Sequence, residues 1–156
     1  MVVRNKYFGM EYFEKVIEVN ATEVSVYEAL TSYIPKWWTV MFEGSSDKQG
    51  DSFTIYFGTS IFKTILVEEL VPNKKVVWNV TNSLIDIPEL TNKKEWIGTT
   101  IVWELQSKVG STELHLAHIG LTPQVECYTI CEGGWHQFIA SLKAFLETGS
   151  GNPFKQ

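Results

Sequence analysis

Apolar residues along this chain follow two different periods. Between residues 11 and 121 they mostly alternate with polar ones, as on a half-buried strand, whereas from Cys131 onward they recur every three or four positions, as on a helix. In the second stretch Cys131, Trp135, Phe138, Ile139, Leu142, Phe145 and Leu146 share one face of a single long amphipathic helix. Thr122-Pro123 offers a cap residue with proline at the first helical position, and Gly149 with Pro153 supplies the stop.

Upstream, residues 11–20 predict a strand with Phe13, Ile17 and Val19 on one face and Tyr12, Glu14 and Glu18 on the other. A short helix follows. Thr22 is its N-cap, Val26, Tyr27, Ala29 and Leu30 form its apolar stripe, and Pro35 ends it ahead of Trp37-Trp38. Strands are expected over 52–57, 61–71 and 74–82, then a hairpin of 95–106 and 111–121 around Gly110. Alternation gathers Phe53, Ile55 and Phe57, then Val76, Trp78 and Val80, then Ile101, Trp103 and Leu105, then Leu114 and Leu116 on one common face. It leaves the faces of 61–71 unassigned. The connection from Ser83 to Lys94 carries Leu84, Ile85, Ile87 and Leu90 among polar residues and Pro88, and apolar loops of this kind often cover a site.

One strand, a helix, a meander of strands and one long helix make an α+β pattern, read here as a single domain over 1–156. A strongly twisted antiparallel sheet has to curve round the last helix, and such a pairing commonly encloses an apolar cavity. At 156 residues and 44% hydrophobic the chain can build one core of ordinary size. The 18 acidic residues outnumber 13 scattered basic ones, for a net charge of -5, which argues against a nucleic-acid partner. No segment approaches the roughly 20 apolar residues of a membrane span, and Met1 to Met10 lacks an apolar leader, so a cytoplasmic protein is expected. The sequons at Asn20 and Asn79 then carry no meaning.

Four patches resemble one known family. They are Trp37-Trp38-Thr39 after the first helix, Pro72 before Val76-Val77-Trp78, the run Leu114, Leu116, His118 and Gly120 on the last strand, and Gly134-Trp135 leading to Leu142 and Thr148-Gly149. Their order and spacing over residues 10 to 150 resemble the SRPBCC, or START-like, superfamily, in the branch of the C-terminal domain of the activator of the ninety-kilodalton heat-shock chaperone's ATPase. The resemblance implies a helix-grip fold with a deep apolar cavity between sheet and C-terminal helix. Members bind lipids, polyketides or other hydrophobic molecules, and some are polyketide cyclases or dehydratases. A chaperone partner is a further implication, weakened because the eukaryotic activators carry an additional N-terminal domain.

Common catalytic signatures, including a hydrolase elbow, a phosphate loop, a paired-cysteine zinc motif and a His-Glu-x-x-His helix, do not occur. No catalytic residue, metal or cofactor is assigned. Cys127 and Cys131, four apart, could meet His136 or His118 round a metal, but core packing accounts better for two free thiols. His118 shares a face with Leu114 and Leu116 and points inward, as a proton donor to a ligand or, preferably, as a satisfied core residue. His115 and His136 read as surface residues, and Glu68, Glu69, Asp86 and Glu89 as solvated carboxylates.

Six tryptophans are the more unusual feature. Trp78, Trp103 and Trp135 face the space between sheet and helix, where an indole can line a pocket and still donate a hydrogen bond. The expected ligand-lining set is Trp38, Phe57, Trp78, Val80, Trp103, His118, Trp135, Phe138 and Ile139, with a small hydrophobic molecule as partner. Gly133-Gly134 inside the last helix signals either a close helix contact or room at a cavity mouth.

Overall fold

The computed structural model describes residues 11–156. The first ten residues, where an apolar leader was judged absent, lie outside that range. In chain order the elements are β1 (Tyr12–Val19), α1 (Glu23–Thr31), α2 (Ile34–Trp37), β2 (Phe42–Gly44), β3 (Ser52–Tyr56), β4 (Ile61–Val71), β5 (Lys75–Ile85), β6 (Thr100–Lys108), β7 (Ser111–Ile119) and α3 (Tyr128–Thr148). The strands form one antiparallel seven-stranded sheet in the order β1-β7-β6-β5-β4-β3-β2, with α3 against its inner face. This is the helix-grip arrangement. Among the described residues no helix is long and apolar enough to cross a membrane.

Most of this follows from local chemistry. Thr22 caps α1 by accepting from the Ser25 N–H at 3.1 Å. Phe13 and Val19 of β1 are buried on the expected face, with Ile17 packed at its margin. Gly149 takes a left-handed conformation (φ 85°) and closes α3 through its N–H to the Phe145 carbonyl. Trp135, Phe138, Ile139 and Leu142 are all buried between α3 and the sheet.

Four boundaries differ from the sequence reading. Pro35 opens α2 instead of ending a helix, because proline's missing N–H costs nothing in a first turn. Thr122-Pro123 forms a separate turn, and α3 starts only at Tyr128. The approach to α3 is held by the Glu95 carboxylate, which accepts from the Glu126 and Cys127 N–H groups at 2.9 and 3.0 Å, while the Glu126 carboxylate accepts from Thr91 and Asn92. Strand β5 runs on through Ile85 and β6 begins at Thr100, which shifts the long connection to residues 86–99. The short strand β2, at the sheet edge, had no sequence signal of its own.

Two register shifts interrupt the β4–β5 ladder: Thr81 is the extra residue on β5, where the inward parity passes from Val80 to Ser83, and Glu68 is the extra residue on β4, beyond the alternating stretch from Lys63 to Val67. Lys63, Ile65 and Val67 are its buried residues.

All six tryptophans join one ring network. Trp38 stacks on Trp37 and Trp78 with centroids 5.3 and 5.7 Å away, Trp103 meets Trp37, Trp78 and Trp135 edge-on, and Trp96 stacks on Trp135 at 6.0 Å. Past α3 the chain turns back to pair with residue 39. The Phe154 N–H donates to the Trp38 carbonyl, and Val40 donates to that of Phe154. Gly151 makes this possible, because a Cβ there would lie 2.5 Å from the Lys36 carbonyl oxygen.

Two glycines therefore respond oppositely to alanine. Gly151→Ala is expected to lower the unfolding free energy by roughly 1–3 kcal/mol through that clash. Gly133→Ala, in open space within α3, should raise it by about 0.5–1 kcal/mol. Urea titrations of both variants check the pair, and a neutral Gly151→Ala would contradict the close approach.

Candidate ligand-binding site

An apolar pocket of about 290 Å³ opens to solvent at the end of the sheet where β4 begins and β5 ends. Its walls come from the β3–β4 turn (Phe57), β4 (Ile61, Lys63), β5 (Ile85), the connection (Trp96), α3 (Ile130, Cys131, Gly134, Trp135, Gln137, Phe138) and the returning C-terminus (Phe154). Phe57 meets Phe138 and Phe154 at ring centroid distances of 5.6 Å, which ties the turn, α3 and the C-terminal strap into one rim. No side chain occupies position 134. A Cβ built there would meet nothing within 4 Å, so of the two readings of the glycine pair, room at a cavity mouth fits the geometry.

Of the nine expected lining residues, Phe57, Trp135 and Phe138 border this pocket. Trp38, Trp78, Val80, Trp103, His118 and Ile139 face the same interior but lie deeper, packed in the core and outside the pocket wall. Alternation tells which face a side chain takes, not how many layers cover it. The middle of the interior is filled by the indoles themselves, and the open space sits at one end.

His118 lies behind the wall in a fully engaged, neutral state. The Trp135 indole N–H donates to its Nδ1 at 3.0 Å, so Nε2 carries the proton and donates to Thr99 Oγ1 at 2.9 Å, and Thr99 in turn donates to the Trp96 carbonyl. Burial, reinforced by the charge on Lys63, lowers its pKa to about 3. With both nitrogens committed, His118 holds Trp135 and the Trp96 segment in place and offers no free lone pair to a ligand.

The thiols of Cys127 and Cys131 lie 3.0 Å apart, and the Trp96 indole donates to Cys131 Sγ at 3.1 Å. The Cys131 pKa is lowered, chiefly by its hydrogen bond with Cys127 and also by Lys63, while that of Cys127 is pushed up. The metal grouping entertained from sequence does not assemble: His118 is engaged elsewhere and His136 contacts Lys15 on an exposed part of α3.

Lys63, Trp96 and Phe154 were not anticipated. Lys63 is only 6% exposed, with Nζ 4.4 Å from the Trp96 ring centroid and 5.3 Å from that of Phe57. Both are cation–π contacts. Burial lowers its pKa to about 8, with the neighbouring thiols opposing the shift. The available signal was its place two residues from both Ile61 and Ile65, a charge on an otherwise apolar face. Trp96 was assigned to a strand that starts later, and Phe154 lies past the helix stop.

Known structures share the architecture over most of this chain. The chain resembles the solution structure of the Aha1 dimer from Colwellia psychrerythraea, with 28% identity, a TM-score of 0.74, and coverage of 91% of this chain and 100% of that one. A crystal structure of MLL2253 from Mesorhizobium loti (21% identity, TM-score 0.68, 86% of this chain and 96% of that one) and one of DynU16 from the dynemicin biosynthetic locus (19%, 0.66, 90% and 48%) share the fold. No curated protein matches. The class defined by sheet, helix and pocket is thus the helix-grip, SRPBCC type. Within it, the family model for Activator of Hsp90 ATPase homolog 1-like protein matches residues 20–147, and the chain belongs to that family.

Lys63 makes stability depend on pH in a definite sense. Its pKa falls from 10.5 in the unfolded chain to about 8 on folding, so between those values the unfolded state binds more protons and stability rises with pH. Lys63→Met should remove this slope. The variant is expected to exceed the wild type at pH 7 by up to roughly 3 kcal/mol, an upper bound set by the pKa difference, and the gap should close near pH 10.5. Urea midpoints across pH 7 to 10.5 measure it; parallel curves would contradict a buried ammonium.

Proposed function

We propose that this protein binds a small hydrophobic molecule in the pocket bordered by Phe57, Trp96, Trp135 and Phe138, without performing chemistry on it through His118. The observation that carries the reading is the open, apolar space beside Gly134, in a family whose fold pairs a curved sheet with one long helix. A pocket of this size holds about ten non-hydrogen atoms at the roughly 30 Å³ that each water takes in the liquid. It lies near the lower end of the range for ligand sites. The polyketide cyclase alternative gives His118 the proton transfer, and both His118 nitrogens are occupied.

Filling the space tests the reading without harming the fold. The neutral probe N-phenyl-1-naphthylamine is expected to bind the wild type and quench Trp96 and Trp135 fluorescence. Gly134→Leu should retain or gain stability, since leucine suits a helix interior better than glycine, yet weaken the probe at least about tenfold. A folded wild type that takes up no probe, or a Gly134→Leu variant that binds it unchanged, would overturn the assignment.

Family membership favours a second reading, contact with the chaperone for which the family is described. The two readings are compatible. Addition of the purified protein to the chaperone in a coupled ATPase assay is expected to leave turnover within about twofold, and several-fold stimulation at stoichiometric protein would move the chaperone reading ahead.

A further inference from the structure

Within the pocket, Lys63 is the feature that simple apolar binding leaves unexplained. An ammonium buried to this degree ordinarily has a carboxylate beside it or hydrogen bonds to carbonyls, because an unpaired buried charge is costly. Lys93 shows the usual solution, with Nζ donating to the Ile87 and Leu90 carbonyls at 2.7 and 2.9 Å and pairing with Asp86. Among the described residues Lys63 has no ion-pair or hydrogen-bond partner, and the faces of Phe57 and Trp96 lie 5.3 and 4.4 Å from its Nζ. Its cross-strand neighbour on β5 is Ser83, fully buried, whose Oγ also lacks a hydrogen-bond partner. A cation in the pocket wall and a hydroxyl buried beside it, adjacent across a strand pair, are thus both unpartnered.

We infer that the ligand of this pocket is an apolar molecule carrying one carboxylate, its chain along Phe57, Trp135 and Phe138 and its head group on Lys63. The inference rests on the ligand-binding reading above and adds the ligand's chemical class. A monoanion matches the site. A phosphate dianion would bring a second charge with no counter-ion into an apolar environment, and a neutral or cationic head would leave the ammonium unpaired or repelled. Aromatic rings favour the cation from the sides while leaving its remaining donors for the ligand oxygens. The groups facing Lys63 do not supply a fixed negative charge. Cys131 of α3 and Cys127 just before it share a hydrogen bond, and His118 of β7 is neutral, while the Glu95 carboxylate accepts from the N–H groups of residues 126 and 127. A bound carboxylate holds Lys63 protonated.

Octanoate, octanamide and octylammonium test this, having similar chains and different head charges. Calorimetry or tryptophan quenching at pH 7 with the wild-type protein is expected to give octanoate at least about tenfold tighter binding than octanamide, with octylammonium weakest. Octanoate stays ionised between pH 7 and 9.5 whereas free Lys63 loses its proton near pH 8, so octanoate affinity should fall several-fold over that interval while octanamide affinity stays constant. Lys63→Met should bring octanoate down to the octanamide level and leave octanamide within about threefold. Equal binding of octanoate and octanamide by the wild type would overturn the head-group assignment while sparing the pocket. No binding of any of the three by folded protein would overturn both readings. Equal loss of both ligands in Lys63→Met would assign Lys63 a structural role and end the proposal, and the two wild-type comparisons decide it even if that variant does not fold.

Discussion

The structure depends on how Trp135 of α3 seats against the sheet. The helix shares no ladder hydrogen bonds with the strands, so side-chain burial sets its position, and Trp135 touches Trp38, Trp96, Trp103 and His118 at once. An indole buries about 150–250 Å². At about 25 cal/mol per Å² that amounts to roughly 4–6 kcal/mol as an upper bound, comparable to the net stability of a small domain. The N–H to His118 Nδ1 adds direction, fixing how far the helix is rotated. That rotation determines the pocket. With Trp135 inward, Cys131 and Phe138 one turn to either side border the opening, and Gly134 leaves its space empty.

Polar side chains elsewhere fasten the loops to the helices. Glu95 and Glu126 exchange backbone hydrogen bonds between the 86–99 connection and the approach to α3, so a long loop is fastened at both ends. Ser141 accepts from the Asn152 N–H and donates to the Trp37 carbonyl, joining the C-terminal strap to α2. Against that background the unpartnered Lys63 and Ser83 stand out, and local rules broken without an internal compensation are where functional sites tend to lie. Trp78 and Trp103 also bury indole N–H groups without partners, but neither lines the pocket, and both pack on neighbouring rings.

Much of the fold was legible because period-two and helical patterns seldom overlap in this chain. The strands from β3 to β7, the capped α1 and the inner face of α3 all follow from spacing and end signals. Depth was not legible. Trp78 and Trp103 carry the same inward signature as Trp135, and only the assembled sheet reveals that two are core and one borders solvent. The site was half visible: Phe57, Phe138 and Trp135 sit on apolar stripes, whereas Lys63 reads as an outward residue by its charge although it keeps the parity of Ile65 and Val67. Phe154 reaches the pocket only because Gly151 permits a backbone approach that no periodicity encodes.

The account turns on a cation held unpaired at the inner side of an apolar pocket. Direct observation of the Lys63 side-chain ammonium by ¹⁵N and ¹³C NMR, with pH raised from 6 to 11 in free and octanoate-saturated protein, addresses it most directly. The account predicts a titration midpoint of about 8 in the free protein, moved upward when the carboxylate is bound. A midpoint near the ordinary lysine value of about 10.4 in the free protein, or one that saturating octanoate leaves unmoved, would contradict it.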